Sequence, residues 1–241
     1  MTGLLVLWDL DYTLADTDGV GRHLYQLTFA EMFGGELPRP GSMAGRTDRA
    51  IALEVLTLAG QPEPGRQVRA FEAALAARAP QLADLVRERA RALPGAAAAL
   101  AALAGCAADG RRGRYVVQSL LTGNIRELAE VKLGPLGLTE HLDLTVGAYG
   151  DASEVRADLV PVARSRAALA YGQDFAGQAT VLVGDTPHDV EAALVTGARA
   201  VGVATGSFTA ADLAAAGAHA VLADLTDTRQ VLAAILAAPV T

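Results

Sequence analysis

The stretch Leu4-Leu5-Val6-Leu7-Trp8-Asp9-Leu10-Asp11-Tyr12-Thr13-Leu14 decides how this chain is read. Five consecutive apolar residues, rather than an alternating pattern, describe a strand covered on both faces, as in a parallel sheet flanked by helices. The strand runs into Asp9 and Asp11, and open α/β sheets bind ligands at the carboxyl ends of their strands. Further apolar runs follow at Tyr115 to Leu121, Leu142 to Val146, Thr180 to Val183, Ala200 to Val203 and Ala220 to Leu222. Helical periodicity fills the intervals after Pro94, marked by Leu100 and Leu103, by Ile125, Leu128 and Val131, by Val190 and Leu194, and by Val231, Ile235 and Leu236. Strand and helix in regular turn predict an α/β fold with a Rossmann-like parallel sheet.

Between Asp16 and Leu93 the periodicity is helical only. Val20, Leu24 and Leu27 mark one face of a first helix and Tyr25, Phe29 and Met32 another. Ile51, Val55 and Leu58 mark the second helix, Val68, Phe71 and Leu75 the third, and Leu82, Leu85 and Val86 the fourth, with Pro and Gly clusters as breaks. Residues 1–15 and 95–241 are therefore expected to form the α/β core, and residues 16–94 an inserted helical unit. Asp109 to Arg114 reads as a polar surface turn.

The chain has 241 residues and a formal charge of −7, with no run of more than two basic residues, which excludes a dedicated nucleic-acid binder. No apolar run approaches the roughly 20 residues of a membrane-spanning helix, and no basic segment precedes the first strand. A soluble chain without a secretory signal is expected. A single cysteine, Cys106, forbids an intrachain disulfide and implies a reducing, cytoplasmic setting. The basic residues are 19 arginines and one lysine, Lys132.

Two further strand ends carry polar chemistry. Thr122, Gly123 and Asn124 follow the second sheet strand, and Gly184, Asp185, Thr186, Pro187, His188 and Asp189 follow the fourth. Singly, each reads as a turn or a helix cap; three on one sheet edge read as a site. Asp-x-Asp-x-Thr, then Thr-Gly-Asn, then a basic residue, then Gly-Asp-x-x-x-Asp resembles the haloacid dehalogenase superfamily of phosphohydrolases. The insert resembles the all-helical cap domain of its phosphoglycolate phosphatase-like branch.

The resemblance implies a phosphatase acting on a small phosphorylated metabolite, with Asp9 as nucleophile forming an aspartyl-phosphate. Asp11 would protonate the leaving alkoxide and then activate water. Asp9, Asp185 and the Asp11 backbone carbonyl would bind Mg²⁺, supported by Asp189. Thr122, Gly123 and Asn124 would hold the phosphoryl oxygens. The third motif commonly carries a lysine; here the basic residue in the expected interval is Arg156, to which the role is assigned, while Lys132 is expected to be solvated. Thr47 or Asp48 fits a helix N-cap, and Arg46 beside them is the candidate for a substrate's non-reacting anionic end. His188 suits a helix start, Trp8 packing beneath the nucleophile, and Gly202 to Gly206 a strand followed by a tight loop without chemistry.

Asp11 argues against a dehalogenase, which lacks that proton shuttle. The lysine-free insert excludes the phosphonate hydrolases that need a Schiff-base lysine there. A sugar phosphomutase of the β-phosphoglucomutase type, and a non-catalytic phosphate-sensing protein, remain as alternatives.

Overall fold

A computed structural model of the chain describes residues 2–108 and 114–237, so residues 109–113 of the expected polar turn lie outside the described residues. In chain order the strands are β1 (Thr2–Trp8), β2 (Ala15–Asp16), β3 (Arg91–Ala92), β4 (Arg114–Leu120), β5 (Thr180–Gly184), β6 (Arg199–Val203) and β7 (Ala220–Leu222). Five of them form a parallel sheet in the order β4-β1-β5-β6-β7. The continuous apolar runs have the expected cause: β1 is central and covered twice. Leu4, Val6 and Trp8 pack on one side with Leu100, Leu103, Val231 and Ile235. Leu5 and Leu7 pack on the other with Leu159, Val160, Ala163 and Val190. Those partners come from α5 (Ala96–Ala108) and the last helix (Thr228–Leu236) on the first face, and from α7 (Leu159–Tyr171) and α8 (Pro187–Val195) on the second.

One expected strand is absent. Leu142–Val146 is irregular, because the Asp143 carboxylate accepts from the Thr145 backbone N–H at 3.0 Å and from its hydroxyl at 2.5 Å. That local turn competes with a ladder, and the bridge of Leu121 with Ala148 forms only beyond the segment.

Between β2 and β3 lie α1 (Val20–Phe33), α2 (Asp48–Leu58), α3 (Pro64–Arg78) and α4 (Ala83–Arg89). They share an apolar cluster in which Phe71 meets Tyr25 edge-on at 5.7 Å and Phe29 at 6.5 Å. Met32 and Leu58, expected on buried stripes, are exposed near the ends of their helices. The two crossings into and out of the helices pair as the antiparallel β2–β3 ribbon, Ala15 opposite Ala92 and Asp16 opposite Arg91. Ile125 and Leu128 join the same cluster, so the insert rests on the start of α6 (Arg126–Leu133), the helix that follows β4.

Candidate active site

β1 lies between β4 and β5, and the chain leaves it toward one neighbour and later returns on the other side. This is the switch point at which open α/β sheets leave a crevice. Asp9 donates its N–H to Val183 O at 2.8 Å, and Leu121 donates its N–H to Trp8 O at 2.9 Å, so the three strand ends stay in register up to the polar residues. Trp8 is fully buried and anchored by its indole N–H on Gln118 Oε1 at 3.2 Å.

Arg156 opens a short 3₁₀ turn before α7 and is buried. Its Nη2 lies 2.7 Å from Asp9 Oδ1 and 2.7 Å from Asp189 Oδ1, and also donates to Leu121 O at 3.2 Å. Asp189 spends its other oxygen on Thr186, accepting from its N–H at 3.1 Å and its hydroxyl at 2.6 Å in the capping box that starts α8. Asp189 therefore braces the arginine that faces Asp9. Burial pushes the Asp9 carboxyl up to about 7; Arg156 pulls against that, and Asp189 and Asp11 add to it. Asp185 is pushed up to about 9 by burial and by the charges of Asp9 and Asp189.

Asp9, Asp185 and Asp189 each offer an oxygen within 4.8 Å of the others, all three buried. Three carboxylates against one guanidinium leave a net negative pocket of hard oxygen donors. That donor set fits Mg²⁺ or a similar hard cation and does not suit zinc or copper. The segment after β6 closes over it: a Cβ on Gly206 would fall 1.8 Å from Asp185 Oδ2, so the backbone passes where no side chain fits. Gly206, in a loop whose sequence suggests no chemistry, permits this close approach.

Lys132 is buried, not solvated. Its ammonium donates to both oxygens of Asp11 at 2.7 Å and to Asn124 Oδ1 at 2.8 Å. Asn124 Nδ2 in turn donates to Asp11 Oδ2 and to Thr122 Oγ1, both at 2.8 Å, and the Thr17 hydroxyl donates to Asp11 Oδ1 at 2.9 Å. Burial alone would raise the Asp11 carboxyl; Lys132, Asn124 and Thr17 outweigh it and hold it below the usual carboxylate range. The signal for this position was present: Lys132 lies four residues after buried Leu128, on the same helix face. A charge on a buried stripe calls for a partner.

These residues line a cavity of about 270 Å³, together with Tyr12, Arg22, Tyr25 and Met43. Its roof is the Gly45–Arg49 segment, stitched to the core by backbone bonds from Asp48 N to Gly123 O at 2.7 Å and from Arg49 N to Gly150 O at 3.0 Å. Gly123 admits this contact, since a Cβ there would fall 1.9 Å from Arg46 O. Thr47 is the N-cap of α2, accepting from Ala50 N. Arg46 lines the cavity, but its guanidinium is held by Glu54 Oε2 at 2.5 Å and by the carbonyls of Ser42 and Ala50. A substrate anion could recruit it only by displacing Glu54. His188 is half exposed beside Glu191 at the start of α8, as expected for a helix-start residue.

Asp48 is buried where the insert meets α6: it accepts from Ile125 N at 2.7 Å and from the Tyr25 hydroxyl at 2.9 Å. Burial raises its carboxyl to about 6, with both donors pulling the other way. A folded pKa above the ordinary 3.8 means that the folded state holds the proton more tightly, so this contribution to stability is lost as pH rises from about 4 to about 6. Its size is on the order of 3 kcal/mol. Asp48→Asn should remove the slope: the difference between wild-type and variant unfolding free energies, measured by urea titration, should shift in the variant's favour between pH 4 and pH 7. A flat difference would reject a raised Asp48.

A model of the haloacid dehalogenase-like hydrolase family matches residues 6–194. No curated protein matches the chain. Among solved structures, a hydrolase from Pseudomonas syringae superimposes with a TM-score of 0.63 at 20% identity, over 94% of this chain and 96% of that one. A protein described as a predicted phosphatase, from Clostridium acetobutylicum, gives 0.64 at 19% identity, over 95% and 98%. One described as a predicted phosphoglycolate phosphatase, from Haemophilus somnus, gives 0.62 at 14% identity, over 96% and 98%. At these identities the likeness is one of fold.

Proposed function

Because the chain belongs to the haloacid dehalogenase-like hydrolase family, we propose that it is a Mg²⁺-dependent phosphatase that cleaves small phosphomonoesters through an aspartyl-phosphate at Asp9. The observation that carries this reading is the pairing of Asp9 with Arg156 at 2.7 Å, with both side chains and Asp185 lining one cavity at the strand ends. A carboxylate whose counter-charge is a planar guanidinium presents a nucleophile next to a fork suited to a phosphoryl group. The similarity to proteins described as phosphatases supports the same substrate chemistry.

In this mechanism an Asp9 oxygen forms a bond to phosphorus as the ester bond breaks, and Arg156 holds the phosphoryl oxygens in line. Asp11, ionised in the free protein, takes up a proton from solvent as the substrate enters, gives it to the departing oxygen, then takes one from the water that cleaves the aspartyl-phosphate. Thr122 and the backbone at Gly123 contact the phosphoryl oxygens from the opposite strand end. Asp9, Asp185 and the Asp11 carbonyl, braced by Asp189, would hold the cation, which when bound supplies positive charge to a phosphoryl group entering a pocket rich in carboxylates. The helices of residues 16–94 act as a cap over the strand ends, excluding water and selecting the leaving group.

Phosphate release from a panel of phosphorylated metabolites should require Mg²⁺ and vanish with excess EDTA. The cation should also raise the melting temperature more at pH 8.5 than at pH 6. Burial lifts Asp9 and Asp185 to about 7 and about 9, so the cation-free protein loses stability as pH rises through that window, and the cation relieves the ionised form. Equal stabilisation at both pH values, or full activity in EDTA, would overturn the cation assignment.

A further inference from the structure

Lys132 is the sole lysine among 20 basic residues, and it sits buried against the cavity. All three of its ammonium hydrogens have acceptors, two on Asp11 and one on Asn124. An arginine could not copy this: its donors are spread over a planar fork, whereas an ammonium converges three tetrahedral donors from one atom. The same Asn124 bridges to Thr122, so one closed ring of side chains joins the Asp11 carboxylate to the loop at the end of β4. Opposite, the ring approaches the backbone of α1: a Cβ on Gly21 would lie 3.5 Å from Lys132 Nζ. Lys132, from α6, is the ion-pair partner of Asp11, and Asp11 is not part of the Asp9, Asp185 and Asp189 cluster.

The geometry points to Lys132 as a positioning residue for the proposed reaction: it fixes the Asp11 carboxylate at the leaving-group side of the cavity, apart from the carboxylates on the nucleophile side. The inference rests on the proposed phosphatase mechanism and assigns no contact between Lys132 and the phosphoryl group. Without it, Asp11 loses two of its four side-chain hydrogen bonds, its rotamer is no longer set, and the acid is no longer aligned with the departing oxygen. General acid catalysis contributes about 10²–10⁴-fold where the leaving group needs a proton, and little where it does not.

The test compares kcat/KM of wild type and Lys132→Met on an alkyl phosphate and on p-nitrophenyl phosphate, whose phenolate departs unprotonated. Since kcat/KM reports the steps through formation of the aspartyl-phosphate, the alkyl ester should lose about 10²-fold and the aryl ester less than about 5-fold. Propylammonium should restore alkyl turnover in Lys132→Ala, because the side chain lines the cavity. If Lys132→Met does not fold, Lys132→Arg carries the same comparison with the charge retained, and the same split is expected. Equal losses on both esters, or no loss on the alkyl ester, would overturn the positioning role while leaving the phosphatase reading intact. Absence of phosphate release by wild type from either ester would overturn both.

Discussion

Replacing Arg156 with methionine is expected to cost the cation-free protein about 3–5 kcal/mol of stability at pH 8, the penalty for leaving buried charges without their partner. Arg156 faces Asp9 and Asp189 at 2.7 Å each, and all three side chains are at least nine-tenths buried. Methionine fills much of the volume, so the loss reports charge rather than a cavity. The sign of the pH dependence identifies the cause. Without the guanidinium the Asp9 carboxyl holds its proton more tightly in the folded state, so the deficit should be largest above its folded pKa and shrink as pH falls toward 5. Arg156→Lys should recover only part of the stability, because one ammonium cannot meet Asp9, Asp189, Leu121 O and Gly45 O together. Urea titrations in EDTA at pH 5, 6.5 and 8 provide the measurement. A deficit under about 1 kcal/mol with no pH trend would show that the cluster is not held by Arg156.

Asp9→Asn should abolish phosphate release, by at least about 10³-fold, without loss of fold. The amide is isosteric and removes a carboxyl that burial already drives up to about 7, while Arg156 keeps Asp189 as its counter-charge. The variant should therefore melt no lower than wild type at pH 8 in EDTA, and should trap no covalent phosphate on acid quenching. Retained turnover would remove Asp9 from the nucleophile's role; lost turnover with a collapsed melting temperature would leave Asp9 a structural residue.

Much of this architecture was legible in the sequence because buried parallel strands leave a coarse mark. The run Leu4 to Trp8 is apolar on both faces, and both faces are covered. Asp9, Thr122 and Asp185 follow such runs, and the sheet brings them to one edge. Leu142–Val146 carries the same mark without forming a strand, since Asp143 and Thr145 satisfy each other locally. Arg156, the basic residue in the expected interval, meets Asp9, but its second partner, Asp189, has no signature in the spacing. Lys132, expected in solvent, is buried because it shares the helix face of Leu128 and finds acceptors on Asp11 and Asn124, residues that no local spacing links to it. Asp48 was read only as a possible cap for its own helix, whereas its carboxylate accepts from the first N–H before α6, far along the chain. Contacts between an insert and a core have no periodicity to betray them.

The central position of β1 also orders events during synthesis. Leu5 pairs with Val117 on one side and with Thr180 on the other, so the strand that runs into Asp9 waits for β4 (Arg114–Leu120) before its first neighbour exists and for β5 (Thr180–Gly184) before its second. The helices between Val20 and Arg89 leave the ribosome first and can gather around Phe71 meanwhile. Closure of the sheet is a late, long-range step of the kind that slows folding. A nascent chain stalled before Arg114 would therefore display a formed helical lobe, an unpaired apolar strand and, of the polar residues on the sheet edge, only Asp9 and Asp11.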